Sequence, residues 1–219
     1  MLHFEVVLPL RPFVRPLDMS LLVALSVVVA AQGATVPDSR YMQPAHYGAA
    51  SAMPDTTAAG GFGESDNQPH LIRDTRLKGD GPKALLRMGR DQLVLTLGNQ
   101  TARDVWFRAA DGNLLGYLEA KDARGVFRPI QYHHAITCGN SRHRVGLKPG
   151  QGWSFDVALR PGSMKTVVRW RYRDQGLDLV SNEVSERISH LSFEIEPRLL
   201  GDHELWLDGD FPTLGWKRG

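Results

Sequence analysis

The chain has 219 residues, 26 Lys and Arg against 24 Asp and Glu, and a formal net charge of +2. At 42% hydrophobic and 23% charged it falls in the globular range, which excludes collagen-like and wholly disordered classes. A single Cys excludes an intramolecular disulfide framework and a Cys-only zinc site, and the near-neutral total argues against a general affinity for nucleic acid or anionic membrane.

The first element is residues 20–31, SLLVALSVVVAA, a run without a charge. A spanning helix needs about 20 apolar residues, so this run is too short to cross a bilayer. Arg11 and Arg15 lie upstream, and the small-residue exit Ala31-Gln32-Gly33-Ala34 lies downstream. That order describes a secretory signal. Residues 1–33 are expected to be a signal peptide, with Met19 as a second candidate start. The chain is then secreted or periplasmic, with no stable transmembrane span.

Residues 37–70 contain no Leu, Ile or Val. Such a stretch buries too little apolar area to offset a chain-ordering cost of about 1–2 kcal/mol per residue. Residues 34–84 are therefore predicted to be a flexible linker, in which Tyr41, Tyr47 and Phe62 stand as isolated aromatics.

From residue 85 the pattern changes to period two. Leu93, Leu95 and Leu97 alternate in DQLVLTLGN, and Trp153, Phe155, Val157 and Leu159 alternate with Ser154, Asp156, Ala158 and Arg160. Val168, Trp170 and Tyr172 alternate with Arg169, Arg171 and Arg173, and Leu191, Phe193 and Ile195 repeat the pattern near the end. Asp111-Gly112-Asn113 between two strand-like runs predicts a hairpin. Further turns are expected at residues 139–141, 149–152, 161–163 and 174–176. Only residues 182–190 offer a short helix, of two turns. Short strands, each with one polar face, predict an all-β fold, an antiparallel two-sheet immunoglobulin-like sandwich over residues 85–197. Residues 198–219 form a tail expected to pack on or beside it.

Charge is segregated along the chain. Residues 142–173 carry eight Lys or Arg against Asp156, whereas residues 174–219 carry ten Asp or Glu against four Lys or Arg. Adjoining blocks of opposite sign are expected to become facing strands joined by ion pairs. Arg169, Arg171 and Arg173 interleave with Trp170 and Tyr172, but strand alternation puts rings and guanidinium groups on opposite faces. Base stacking needs both on one face, so no nucleic-acid partner is expected.

The run EAKDARGVFRPIQYHHAITCGNSRHRVGLKPGQGWSFDV, followed by MKTVVRWRYRDQGLDLVSNE, resembles a group of uncharacterised bacterial secreted proteins with immunoglobulin-like sandwiches. In that group a Cys-Gly-Asn-Ser turn is paired with a late Ser-Asn-Glu. Here these are Cys138, Gly139, Asn140 and Ser141, and Ser181, Asn182 and Glu183. The resemblance spans residues 90–190, roughly, and implies a fold and export without implying an activity.

These seven residues are the candidate structural or binding loop. Gly139 tolerates positive φ, Asn140 and Ser141 cap neighbouring amides, and Asn182 and Glu183 are expected to brace the turn by hydrogen bonds. A second reading makes Cys138 with His133, His134 and His143 a copper or zinc site, since imidazole and thiolate suit both metals. Adjacent His133 and His134 face opposite ways on a strand, and Leu147 stands where an axial Met would be, so no metal and no cofactor is expected. For hydrolysis the chain lacks a Gly-x-Ser-x-Gly elbow, and Leu207 replaces the second His that a zincin needs after His203-Glu204. It is expected to be non-catalytic. A third reading, a carbohydrate-binding module, uses Trp206 and Trp216 as stacking rings. The leading expectation is a structural or protein-binding role in the cell envelope, with another envelope protein as the partner.

Overall fold

The computed structural model describes residues 41–56, 65–133, 140–174 and 176–195. The expected signal segment, His134, Cys138, Gly139 and the tail with Trp206 and Trp216 lie outside the described residues. In chain order the strands are β1 (Gln43–Pro44), β2 (His70–Leu71), β3 (Lys83–Met88), β4 (Leu93–Asn99), β5 (Val105–Ala110), β6 (Asn113–Leu114) and β7 (Gly116–Lys121). They continue with β8 (Phe127–Pro129), β9 (Gln131–Tyr132), β10 (Arg142–Leu147), β11 (Gln151–Val157), β12 (Pro161–Asp174), β13 (Leu177–Val180) and β14 (Val184–Ile188). Two 3-10 turns, Thr75–Leu77 and His190–Phe193, are the only helical pieces among the described residues.

The alternating rows form the core. Leu93, Leu95 and Leu97 of β4 lie opposite Val157, Phe155 and Trp153 of β11, and all six are buried. On the facing layer Val168, Trp170 and Tyr172 of β12 lie opposite Ala120, Leu118 and Gly116 of β7. One sheet has the order β2-β11-β4-β3; another has β13-β12-β7-β8, with β14 also paired to β12; β10-β5-β6 forms a third. Apolar rows from all three meet in one cluster, which defines an all-β sandwich. In the orders β3-β4-β11 and β7-β12-β13, β4 pairs with β11 and β7 with β12, so strands distant in sequence become neighbours. The Asp111-Gly112 hairpin forms as the sequence predicts. Ala110 pairs with Asn113 around two residues of positive φ, 46° and 75°, the conformation that matches strand twist in a tight hairpin.

The predicted linker is corrected. Within residues 34–84, Met42, Ala45, Tyr47, Ala49, Ala50 and Leu77 are buried, so its described parts belong to the packed domain. β1 runs parallel to β9, and Leu77 closes over Gly98 on the outer side of the first sheet. Absence of branched aliphatics misled because Ala, Met and Tyr supply the contact area here. Tyr47 is 1% exposed and packs edge-on to Phe155 at 5.6 Å and to Trp170 at 5.7 Å, touching both layers. Its hydroxyl donates to Gln131 Oε1 at 2.7 Å, which also accepts the Leu118 amide at 2.9 Å. Burial pushes the phenol well above its ordinary pKa, against the lowering effect of the Gln131 hydrogen bond.

Three smaller expectations are also corrected. Residues 184–188 are strand β14, not helix, because Val184 and Ile188 pair along β12. Residues 190–193 form a 3-10 turn capped by the Ser189 side chain, not a strand. Residues 161–163 open β12 through a bulge, with Pro161 and Met164 both opposite Ile188. A Cβ on Gly162 would come within 2.4 Å of Ser189 backbone, so glycine permits the close approach.

Tyr47→Ala should lower unfolding free energy by about 3–5 kcal/mol, as for other buried aromatic truncations. Tyr47→Phe, which loses one hydrogen bond, should cost about 1 kcal/mol. Urea titration followed by intrinsic fluorescence checks both; two unchanged midpoints would return this segment to a linker.

Candidate functional site

The proposed turn and its brace do not share their described polar contacts. Ser181 Oγ accepts the Trp170 amide at 2.9 Å and donates to the Asn182 carbonyl at 2.8 Å. Asn182 presents Oδ1 to the Leu86 amide at 2.7 Å and donates Nδ2 to the Leu86 carbonyl at 2.8 Å. Its side chain thereby does for β3 what a neighbouring strand would do. Glu183 pairs with Lys121 at 3.2 Å. Cys138 and Gly139, half of the turn they were expected to brace, lie outside the described residues; these three residues tie β13 and β14 to β3, β7 and β12 as a brace between sheet edges. The physical reason is that β13 breaks between residues 180 and 184, which leaves Asn182 beside the outward-facing amide and carbonyl of Leu86.

Ser141 and His143 sit at the other end of β5. The Ser141 carbonyl accepts the Asp111 amide at 3.0 Å, and His143 Nδ1 lies 3.0 Å from the same oxygen. A carbonyl only accepts, so Nδ1 carries the proton. His143 pairs in register with Ala109 and points inward with it. By the same logic His133 Nε2 donates to the Gly116 carbonyl at 2.9 Å. Both imidazoles are buried and serve the backbone. Among the described residues no three His, Cys, Asp or Glu gather closely enough to hold a metal ion.

Beside His143 lies a cavity of about 250 Å³ between residues 49–55 and β10, lined in part by Ser51, Asp55, Gln68 and Arg144. Its polar groups serve the strand edge. Asp55 Oδ2 accepts the Arg144 amide at 2.8 Å while Oδ1 pairs with the Arg144 guanidinium at 3.3 Å. Ser51 Oγ accepts the Gly146 amide at 2.8 Å, and the Ala52 amide bonds the Gly146 carbonyl at 2.9 Å. The Asn99 side chain is likewise spent on the carbonyls of Arg103 and Leu147 and is fully buried.

The outer face of β12 carries the charge. Trp170 and Tyr172 point into the core while Arg169, Arg171 and Arg173 point outward, as alternation predicts. Arg169 binds Glu119 of β7 at 2.8 Å and lies 3.6 Å over the Phe127 ring. Arg171 grips Asp178 of β13 with two bonds, 3.0 and 2.5 Å, and Arg173 reaches the same carboxylate at 3.0 Å. The expected pairing of basic and acidic blocks thus occurs at Asp178, while Glu119 comes from outside the acidic block. At the other end Lys165 stands directly opposite Arg187 of β14, two cations on one outward face. Among the described residues neither has a carboxylate partner; Arg187 donates only to the Ser163 carbonyl, at 2.9 Å. With Ser185 and Glu186 they line a shallow depression of about 360 Å³.

Sequence reasoning placed Lys165 in the basic block but gave no sign that Arg187 would lie across from it. That juxtaposition follows from the β12–β14 register, which the bulge at residues 161–164 sets. Comparison with family models, with curated proteins and with solved structures finds no match to this chain.

Arg171 hydrogen bonding holds the Asp178 carboxyl below the usual carboxylate range, with Arg173 helping and burial opposing. A carboxyl lowered on folding stabilises the fold above its ordinary pKa, about 3.9, and loses that contribution as pH falls through its folded value. Asp178→Asn should therefore lower the urea midpoint at pH 7 and have much less effect at pH 2. An equal drop at both values would assign the loss to shape instead of charge.

Proposed function

We propose that the chain is an exported, non-catalytic β-sandwich of the cell envelope that binds another protein through the outer face of β12 and β14. The observation that carries this reading is the Lys165–Arg187 pair. Like charges directly opposite each other on neighbouring strands destabilise a sheet. The other cations of the β12 outer row have carboxylates on adjoining strands: Arg169 has Glu119, and Arg171 and Arg173 have Asp178. A sequence that pairs three cations along one row and leaves the fourth facing Arg187 supports a partner that supplies the missing negative charge. Export rests on the order of charge, apolar run and small residues over 1–33, and the resemblance over residues 90–190 supports it. Among the described residues no helix is long and apolar enough to cross a membrane.

The chain, expressed with residues 1–33 in a Gram-negative host, should appear in the periplasmic fraction, shortened by that segment. Immobilised, it should capture acidic envelope proteins that the double variant K165S/R187S loses and that high salt elutes. Retention in the cytoplasm at full length refutes export. Identical capture by wild type and double variant refutes this face as the binding surface.

A further inference from the structure

We infer that the acidic stretch of this chain's own C-terminal tail, residues 202–210, docks on the Lys165–Arg187 depression. Four observations meet here. The first is the depression itself: two outward cations in direct register, with Ser185 of β14 beside them and Glu186 as the one carboxylate among the described lining residues. With Glu186 counted, the depression still holds a surplus positive charge.

The second is composition. Residues 202–210 carry Asp202, Glu204, Asp208 and Asp210 and no Lys or Arg, while Leu205, Trp206 and Leu207 lie among them. Carboxylates at 202, 204, 208 and 210 share one side of an extended chain, because side chains two apart point the same way. An extended segment of that pattern presents acids to a cationic face, with Trp206 on the same side.

The third is reach. Arg187 precedes Ile195 by eight residues, so the two lie no more than about 29 Å apart at full extension, and less where the 3-10 turn at His190–Phe193 shortens the path. Thirteen residues separate Ile195 from Asp208, and at about 3.3–3.6 Å per residue they span some 43–47 Å. The tail therefore returns to the depression with slack.

The fourth is the path of the chain as it comes off β14. The Ser189 amide bonds the Arg160 carbonyl at 3.1 Å, and Ile188 pairs with Pro161 and Met164, so the chain passes beside the opening residues of β12. Lys165 is one residue beyond Met164. The segment leading to the tail thus starts at the same end of the sheet as the depression, and the tether keeps the local concentration of its acids high.

The consequence for the proposed protein-binding face rests on that reading: an acidic partner competes with the tail, and binding is self-limited until the tail is displaced. Docking itself does not depend on a partner. Carbodiimide coupling of the purified full chain tests it directly, since a carboxylate and the Lys165 amine condense to an amide and the carbodiimide takes up the water as its urea. Peptide mass spectrometry should find Lys165 joined to a carboxylate of residues 202–210 in monomeric protein. The yield should fall about tenfold in 1 M salt, where the screening length is about 3 Å, and should also fall in R187S, which keeps the reactive lysine. Near-ultraviolet circular dichroism checks that R187S is folded.

The inference is overturned if those carboxylates couple to Lys78, Lys83 and Lys148 as readily as to Lys165. Absence of any tail coupling overturns it, as does coupling confined to species of twice the mass. A chain ending at residue 200 should capture more of the acidic envelope proteins than the full chain does. If coupling succeeds and truncation leaves capture unchanged, docking stands and the protein-binding reading fails. If coupling fails while K165S/R187S still abolishes capture, the binding reading stands alone.

Discussion

Tyr47 is the contact on which the two layers depend. Its ring meets Phe155 on one sheet and Trp170 on the other, and the chain of ring contacts runs on through Tyr172 and Phe107 to Trp153. Edge-to-face pairs at these separations add stabilisation beyond buried area, of order 0.5–1.5 kcal/mol each. A phenol placed this deep must also hydrogen bond, and Gln131 is held by β9 to receive it. The same segment meets a second buried need, because the Ala50 carbonyl accepts the Trp153 indole N–H at 2.8 Å. Residues 41–56 are thus a structural layer between the sheets and along their end. Without them the core would lose a ring and leave the buried Trp153 indole N–H without its partner.

That dependence explains what could and could not be read from the sequence. Strands whose inner rows are Leu, Trp, Phe and Val announce themselves by alternation, and Asp111-Gly112 announces its turn, because both signals are local. Tyr47 gives no local signal: its neighbours are Ala, Gly and His, and its partners Leu114, Gln131, Phe155 and Trp170 lie from 67 to 123 positions away. The same holds for Asn182, whose amide acts as a strand substitute for Leu86 only because β3 arrives at that edge. The Ser-Asn-Glu run was legible as a bracing element, but its target is set by tertiary pairing that no spacing encodes.

Charge shows a related division. The sequence exposes two blocks of opposite sign, and the hairpin of β12 with β13 turns part of that contrast into the Arg171–Asp178 fork. Exposed pairs of this kind add little stability individually. Their larger effect is on register, since a slip of one residue would set Arg173 beside a hydrophobic position and turn Trp170 outward. Phe127 joins this outer layer by lying beneath Arg169 and within 4.9 Å of Lys121, so the paired part of the face is covered by stacked side chains as well as charge. The uncompensated part is confined to the end where β12 begins.

The strand edges narrow what kind of recognition the proposed face would perform. An exposed edge binds by adding a strand, with main-chain hydrogen bonds supplying the affinity. Here β10 has its Arg144 and Gly146 amides taken by Asp55 and Ser51, and β3 has both outward groups of Leu86 taken by Asn182. Each plug uses a short polar side chain, which satisfies the backbone without offering a continuing ladder. A partner at those edges would have to break two good hydrogen bonds for every two it makes. Side-chain recognition on a sheet face carries no such exchange. Compared with those two edges, the charged row of β12 is where a ligand would gain more for less rearrangement, and within that row the gain would be largest where cation faces cation.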